Sequence, residues 1–220
     1  MTPTTHVPVR LTQHRLLMTH EDTYRSLTTT SEGFYREKGS KFYAHAYGVA
    51  SEAEITERLK ELRARYHDAR HHCYAFVLKP REGQEERFRA NDDGEPPHSA
   101  GDPILGQLRS LDICDALVVV VRYFGGTKLG VGGLINAYKT AAGAALAHNR
   151  IVQKTRKGSL SIRFTYPATS EVQQAIHHGQ AEIVEQDFGQ DCYYRLQVPY
   201  SQLKIIEQQF ATIPGVVVLP

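Results

Sequence analysis

The sequence predicts an α+β fold made of two domains, and three observations lead to this prediction. A Val-rich run, a glycine-rich loop and an amphipathic helix follow one another in residues 115–149, which indicates a buried strand that turns into a helix. Residues 158–220 show the order β-α-β-β-α-β, which is the ferredoxin-like pattern. Residues 151–157 form a basic, polar stretch between these parts, so we expect the domain boundary there.

The composition is that of an ordinary globular protein. The 220 residues are 41% hydrophobic and 23% charged, with a formal net charge of +2. This charge permits a nucleic-acid partner without arguing for one. The three cysteines show neither a disulfide framework nor a C-x-x-C metal pattern, which favours a reducing cytoplasm. No apolar run reaches about 18 residues, so we expect no membrane segment.

The first domain is expected in residues 31–150, after an N-terminal tail in residues 1–30 that contains a second candidate start, Met18. Its predicted strands are residues 31–38, 41–49, 71–78 and 115–124, with an edge strand at 87–90. Ser51 and Glu54 form a capping box that begins the first helix, and Asp102 is the predicted cap of the second. Leu134, Ile135 and Tyr138 belong to the apolar face of the third helix, which ends at Asn149.

The second domain is expected to alternate strands and helices with short turns. Predicted strands are residues 160–166, 181–188, 193–199 and 216–219, and predicted helices are residues 169–178 and 203–213. No cluster of catalytic residue types is visible in this part of the chain.

The glycine loop, residues 125–133, is a candidate site for an anion or a phosphate backbone. It contains five glycines, which indicate positive φ angles, expected at Gly126 or Gly132, or a backbone that something approaches closely. The helix that follows offers free N–H groups, and two basic side chains flank the loop. The alternative is a tight turn beneath a packed helix. The candidate residues are Arg122, Gly125, Gly126, Lys128, Gly130, Gly132 and Gly133.

Neither common nucleotide-binding fingerprint is present in this loop. The sequence Gly-Lys-Ser/Thr of a Walker A loop is missing, and Gly130-Val-Gly132 lacks the third glycine of the dinucleotide fingerprint. A GTPase or a Rossmann dehydrogenase is therefore disfavoured.

The acidic loop, residues 91–102, contains Asp92, Asp93, Glu95 and Ser99, with His98 beside them. Such residues could bind a hard metal ion or transfer protons. The favoured alternative is a solvated turn that two prolines stiffen, and we predict no metal, because the spacing of these residues matches no metal site. An irregular loop of this length inside a domain is nevertheless typical of a functional segment.

The strand motif His71, His72 and Cys73 is weighed as a zinc or nucleophile site. Alternation along a strand places His72 on the face opposite to that of its two neighbours, so a site that combines all three is disfavoured. A packed Cys73 with partly exposed histidines is the preferred interpretation. We predict no catalytic residue and no cofactor.

Several phrases together resemble the IMPACT/YigZ family. They are residues 68–74 (Asp-Ala-Arg-His-His-Cys-Tyr), residues 91–96 (Asn-Asp-Asp-Gly-Glu-Pro), Ala100-Gly101 and residues 121–126 (Val-Arg-Tyr-Phe-Gly-Gly), followed by Lys128-Leu-Gly130 and Gly132-Gly-Leu134. The resemblance covers residues 31–150, and the second part resembles the small C-terminal domain of bacterial members. Pro97-His98-Ser99 departs from the family pattern, in which a small residue followed by Gly-Thr is expected.

The resemblance implies a first domain similar to domain 2 of ribosomal protein S5 and a ferredoxin-like second domain. It implies a cytoplasmic protein with a link to translation, since eukaryotic relatives regulate translation initiation, and a nucleic-acid-binding role by analogy of fold.

Three hypotheses about function follow. The first is a protein that binds RNA or the ribosome, and the second is a regulator that binds a protein partner in translation control. The third is an enzyme that acts on a phosphorylated or peptide-like substrate between the acidic loop and the glycine loop. Contact between these two loops is the observation that would indicate a site.

Overall fold

A five-stranded antiparallel sheet forms the centre of the first domain in the computed structural model, which describes residues 22–80 and 85–219. The strands of this part of the chain are β1 (Thr23–Leu27), β2 (Ser31–Glu37), β3 (Ser40–Gly48), β4 (His71–Leu78), β5 (Arg87–Asn91), β6 (Ala116–Tyr123) and β7 (Ile151–Thr155). The helices are α1 (Glu52–Arg65), α2 (Gly101–Ser110) and α3 (Gly130–Ala147). The strand order of the sheet is β2-β3-β6-β4-β5.

Strand β6 lies in the middle of this sheet, and seven of its eight residues are buried. Val118 and Val120 pack in one core with residues of α2 and α3, whereas Val119 and Val121 pack in a second core with residues of α1. The Val-rich run thus forms a strand that is covered on both faces, as the sequence predicts. β5 is the edge strand that was expected.

The second domain is a ferredoxin-like unit with a core of its own. Its elements are β8 (Lys157–Phe164), α4 (Thr169–His178), β9 (Glu182–Phe188), β10 (Cys192–Pro199), α5 (Leu203–Ala211) and β11 (Val216–Leu219). The strands are antiparallel in the order β11-β8-β10-β9. Buried apolar residues from both helices and the sheet form this core, which is separate from the cores of the first domain. The α+β prediction with two domains is confirmed.

The structure corrects the extent of the N-terminal tail and the nature of the connection between the domains. Residues 23–27, expected in the tail, form β1, which pairs with β7 in the stretch that was expected to be a polar connection. Leu27 is only 1% exposed, because β1 packs onto the first domain. The rest of the tail, with Met18, lies outside the described residues, and the exact domain boundary stays a prediction.

Asp22 connects this two-stranded ribbon to the second domain. Its carboxylate accepts hydrogen bonds from the backbone N–H and the hydroxyl of Ser201 at 2.5–3.1 Å. Its carbonyl accepts from Arg156 N at 2.6 Å. The N-terminal segment therefore contacts both domains.

Two side chains of the predicted apolar faces lie on the surface instead. Ile135 on α3 is 38% exposed, and Tyr166, expected at the end of a strand, is 54% exposed in a short turn before α4. In the described part of the chain, no helix combines the length and the apolar character that crossing a membrane requires.

We expect Leu27→Ala to lower the free energy of unfolding by about 2–5 kcal/mol, because it removes a fully buried side chain from the core. Urea unfolding measures this change. Ile205→Ala is the control: Ile205 is 57% exposed, so its replacement is expected to change stability by no more than about 0.5 kcal/mol. A Leu27→Ala protein as stable as this control would contradict the packing of β1.

Candidate functional site

The acidic loop and the glycine loop meet in space. Glu95 Oε1 of the acidic loop accepts a hydrogen bond from Arg122 Nη1 at the end of β6, at 2.6 Å. A cleft of about 350 Å³ opens between the loops, here called the loop cleft. It is lined by Glu95, Pro96, Arg122, Phe124, Lys128, Leu129, Gly130, Val131 and Leu134. Contact between the two loops is the arrangement that the sequence analysis expects of a functional site.

Arg122 was expected to offer a free positive charge to a ligand, but its charge is already paired within the protein. Its side chain is 7% exposed and that of Glu95 is 4% exposed, so the two form a buried ion pair rather than offering free charge. Nη2 also lies 3.4 Å from Ser40 Oγ. The guanidinium packs against the rings of Phe42 and Phe124, with centroids at 5.5 and 5.7 Å. Its Nε has no hydrogen-bond partner among the residues that the structure describes.

A chain of polar contacts continues from this pair into the core. Tyr138 donates its hydroxyl hydrogen bond to Glu95 Oε1 at 2.8 Å, and Cys73 Sγ lies 3.3 Å from the Tyr138 oxygen. Burial, and then the nearby Cys73 and Glu95, raise the pKa of Tyr138. Burial also raises the pKa of Cys73 far above the range in which a thiolate forms. Cys73 is therefore a packed thiol and not an activated nucleophile.

Asp92 of the acidic loop holds the start of α2. Its Oδ1 accepts from Ala100 N and Gly101 N at 2.9 and 2.8 Å, and its Oδ2 accepts from His98 N at 2.9 Å. Burial raises the pKa of this carboxyl, but the three N–H donors outweigh burial and lower it. Asp92 thus takes the capping role predicted for Asp102. The Asp102 carboxylate instead contacts His98 Nδ1 at 2.7 Å on the surface.

The other residues of the acidic loop also bind within the protein. Asp93 accepts from His72 N at 2.7 Å and from Arg63 at 3.2 Å. Ser99 is buried and donates to Pro96 O at 2.6 Å. Only Glu95 of the four candidate residues lines the loop cleft. Within the described ranges, no group of three or more His, Cys, Asp or Glu side chains could hold a metal ion.

The strand motif divides between the two faces of the sheet. Cys73 packs in the core beside α3, whereas His72 is 5% exposed on the other face, near α1. His71 Nδ1 lies 2.9 Å from Asp93 O, which positions the acidic loop. All three residues contact Asp92 or Asp93 of the acidic loop, but they do not form one site.

The glycine loop approaches other backbone closely and then enters α3. At Gly125 a Cβ atom would lie 1.9 Å from Gly39 C, so only glycine fits. Gly126 has φ +88°, as the sequence predicts, and Gly130 has φ +71°. Because α3 begins at Gly130, Gly132 and Gly133 belong to its first turn. Among the described residues no side chain caps this helix, and its first turn contains no acidic residue.

Sequence reasoning missed a second concave surface beside the loop cleft, here called the aromatic concavity. Its volume is about 310 Å³, and it is lined by Gly39, Lys41, Tyr43, Tyr66, Tyr123 and Phe124. The ring of Tyr43 lies 5.9 Å from that of Tyr66 and 6.0 Å from that of Tyr123, between centroids. The sequence contains part of this surface, because alternation places Lys41 and Tyr43 on one face of β3. It does not show that Tyr66, at the end of α1, joins them.

Comparison with known proteins places these features in a family. The model of the Impact N-terminal domain matches residues 38–146. The IMPACT family member YigZ of Escherichia coli K12 is 31% identical over 176 residues, which cover 80% of this chain and 84% of the relative. The IMPACT family member YvyE of Bacillus subtilis 168 is 31% identical over 160 residues, 72% of each chain.

The chain belongs to the IMPACT family. A solved structure of a hypothetical protein superposes on this family member with a TM-score of 0.65 and 26% identity, over 90% of this chain and 97% of that chain. The phrases of the IMPACT resemblance that seemed separate in the sequence, residues 91–96 and 121–134, face each other across the loop cleft.

We expect Arg122→Met to lower the free energy of unfolding by about 3–5 kcal/mol, because it leaves the Glu95 carboxylate buried without a cation. Adding Glu95→Gln is expected to recover at least about 1 kcal/mol, since the amide oxygen still accepts from Tyr138. Denaturant unfolding of the single and double variants tests this coupling. Arg58→Met is the control, because Arg58 and Glu61 pair on the surface and contribute less than about 1 kcal/mol.

His72 predicts a loss of stability in acid. Burial lowers the pKa of its imidazole, although the Asp93 carboxylate partly raises it. As the pH falls below about 6.5, the ordinary pKa of histidine, the imidazole of His72 binds a proton in the unfolded chain but not yet in the folded chain. The free energy of unfolding therefore has its full value above that pH. It decreases below that pH, by up to about 1.4 kcal/mol per pH unit. His72→Gln should flatten this slope between pH 7 and 5; an unchanged slope would assign the loss to other groups.

Proposed function

We propose that this protein binds single-stranded RNA, free or within the ribosome, and acts in the control of translation in the cytoplasm. The family resemblance supports the link to translation, since eukaryotic relatives regulate translation initiation. The arrangement of aromatic and basic side chains supports RNA as the ligand. Proteins that bind single strands combine a positively charged path for the backbone with rings on which bases stack.

One observation supports this function above the others: Phe124 lines both the loop cleft and the aromatic concavity. Phe124 is 58% exposed, so its ring is accessible from both hollows. The two hollows therefore form one surface, with a helix N-terminus at one end and tyrosine rings at the other. Phosphate groups suit the first end and bases suit the second.

The charges near the concavity favour an anionic ligand. Lys41 lines it, and the pairing of β2 with β3 places Arg36 directly opposite Lys41. Both side chains are exposed. Asp68 also lies at this edge, where it accepts from the Tyr123 hydroxyl at 2.6 Å and raises the pKa of Tyr123 to about 12. The basic patch is local, in agreement with a net charge of only +2.

The second candidate is an enzyme, and the contact between the two loops favours it. The loop cleft has one carboxylate, Glu95, and two cations, Arg122 and Lys128, in its wall. Glu95 Oε1 already accepts hydrogen bonds from Arg122 and Tyr138, so both lone pairs of this oxygen are used. Because the carboxylate of the cleft is held in a buried ion pair and no cysteine is among the described lining residues, binding is the better-supported function.

The third candidate is a regulator that binds a protein partner in translation control. It predicted an exposed apolar patch, and Phe34 and Phe124 are both more than half exposed on this side of the domain. Lys41 and the tyrosine hydroxyls interrupt these rings, which fits stacking on bases better than a continuous apolar interface.

Fluorescence anisotropy with a labelled single-stranded RNA tests the proposal. We expect affinity to fall as salt rises, and Lys41→Ala to reduce the slope of log K against log salt by about 0.7, the value for one phosphate contact of a single strand. Phe124→Ala should weaken binding by about 1–3 kcal/mol through lost stacking.

Phe88→Ala is the matched control for Phe124→Ala. Phe88 is 52% exposed and lies on β5, at the edge of the sheet opposite to β2. Its replacement should leave RNA affinity unchanged. Equal losses in the two variants, or binding that does not respond to salt, would contradict the proposed surface.

A further inference from the structure

Strand β9 is an uncovered edge of the sheet in the second domain. It pairs with β10 on one side, and within the described residues no strand lies on its other side. All seven of its residues, Glu182–Phe188, are exposed. Such an edge offers backbone N–H and C=O groups to another extended chain, and proteins commonly protect it by shortening the strand or by adding lysine or proline. β9 is not short, and it contains neither lysine nor proline.

The side of β9 that faces the helices has apolar residues that the core does not cover. The strand pairing places Ile183 opposite Leu196 and Phe188 opposite Cys192, and both partners on β10 are buried in the core. Ile183 and Phe188 are themselves 37% and 53% exposed. The ring of Phe188 lies 5.9 Å from that of Tyr194, between centroids. The core therefore reaches the edge of the sheet, where one more strand with apolar side chains would cover it.

The opposite side of β9 is acidic. Glu182, Glu185 and Asp187 lie on it, because their partners on β10 alternate with the buried residues of that strand. Glu182 contacts Lys157 at 2.6 Å, and Glu185 contacts Arg195 at 3.0 Å. The Asp187 carboxylate forms no salt bridge with the described residues. This side therefore has a negative charge without a partner in the middle of the free edge.

The acidic side determines which chain fits the edge. A second copy that pairs antiparallel, with its helices on the same side, would place Glu185 opposite Glu185 or Asp187 of the other copy. Like charges directly opposite each other destabilise a pair of strands. RNA phosphates would be repelled for the same reason. A strand with basic residues on this side would instead be attracted, and because side chains alternate, its other residues would face Ile183 and Phe188.

We infer that β9 is a docking edge for an extended segment of a partner protein in which basic and apolar residues alternate. The segment joins the four-stranded sheet as a fifth strand, held by backbone hydrogen bonds, while its alternating side chains provide specificity. A register shift between Arg195 and Leu196 interrupts the first part of β9, so residues 185–188 are the regular part of the edge. This site lies in the second domain and goes beyond the proposed RNA function.

A labelled peptide in which lysine and valine alternate over about eight residues, a usual strand length, is the probe. Fluorescence anisotropy with the full chain measures its Kd. We expect Asp187→Lys to weaken binding about fivefold or more, because a favourable cross-strand charge pair becomes a repulsive one. Asp191→Lys is the matched control, since Asp191 is exposed in the turn between β9 and β10 and its replacement changes the net charge equally. It should keep the wild-type Kd, and both variants should keep the wild-type Tm.

Two methylated forms of the peptide test for addition of a strand. Methylation of the lysine backbone nitrogens removes the N–H donors from one edge of the extended peptide, and methylation of the valine nitrogens removes those of the other edge. The edge that faces β9 alone needs its donors. One form should therefore bind as the parent peptide does, and the other should not bind. Equal binding of the two forms would assign the attraction to charge alone and overturn the inference.

Sedimentation velocity of the chain without peptide tests the other occupant. We expect a monomer, because the acidic side of β9 opposes pairing of two copies. A wild-type dimer that does not bind the peptide would assign the edge to a second copy, and a monomer that does not bind it would leave the edge without this role; both results overturn the inference. The peptide assay contains no RNA, so its result does not depend on the proposed RNA function.

Discussion

The buried ion pair between Glu95 and Arg122 is the interaction on which the candidate site depends. Burial removes both charges from water, which costs desolvation free energy. This cost is offset by the contact at 2.6 Å between the two groups and by the hydrogen bond that Tyr138 donates to Glu95. The pair fastens an irregular loop to the end of the central strand. Together with the contacts of Asp92 and Asp93, the pair fixes the acidic loop beside the glycine loop, so that the two loops line one cleft.

The fold was largely predictable, because residues close together in the sequence indicate most of its helices and strands. The Val-rich run of β6, the capping box of α1 and the β-α-β-β-α-β order all depend on neighbours within one turn or one strand. β1 was missed because a five-residue strand with one partner has no such pattern. Its place follows from pairing with β7, far along the chain, which single-sequence reasoning cannot see.

The site was predictable in its parts but not in its connections. The glycine loop and the acidic loop stood out by composition, whereas the partner of each charged side chain did not. Arg122 looked like a free cation because its acceptor lies 27 residues away, and Asp102 looked like a cap because Asp92 reaches α2 from outside the helix. Tyr66 joined the aromatic concavity only through the packing of α1 on the sheet. Such contacts between distant residues decide which groups remain for a ligand.

The pairing of β1 with β7 has a consequence for synthesis of the chain. Residue 27 emerges from the ribosome early, but its partner, residue 151, emerges only after the rest of the first domain. Until then β1, with the sequence Thr-Tyr-Arg-Ser-Leu, lacks its antiparallel partner β7, although the buried residues around Leu27 are complete by Leu146. The final step in building the first domain therefore coincides with the appearance of β8, the first strand of the second domain, so the two domains mature as consecutive steps of one translation event.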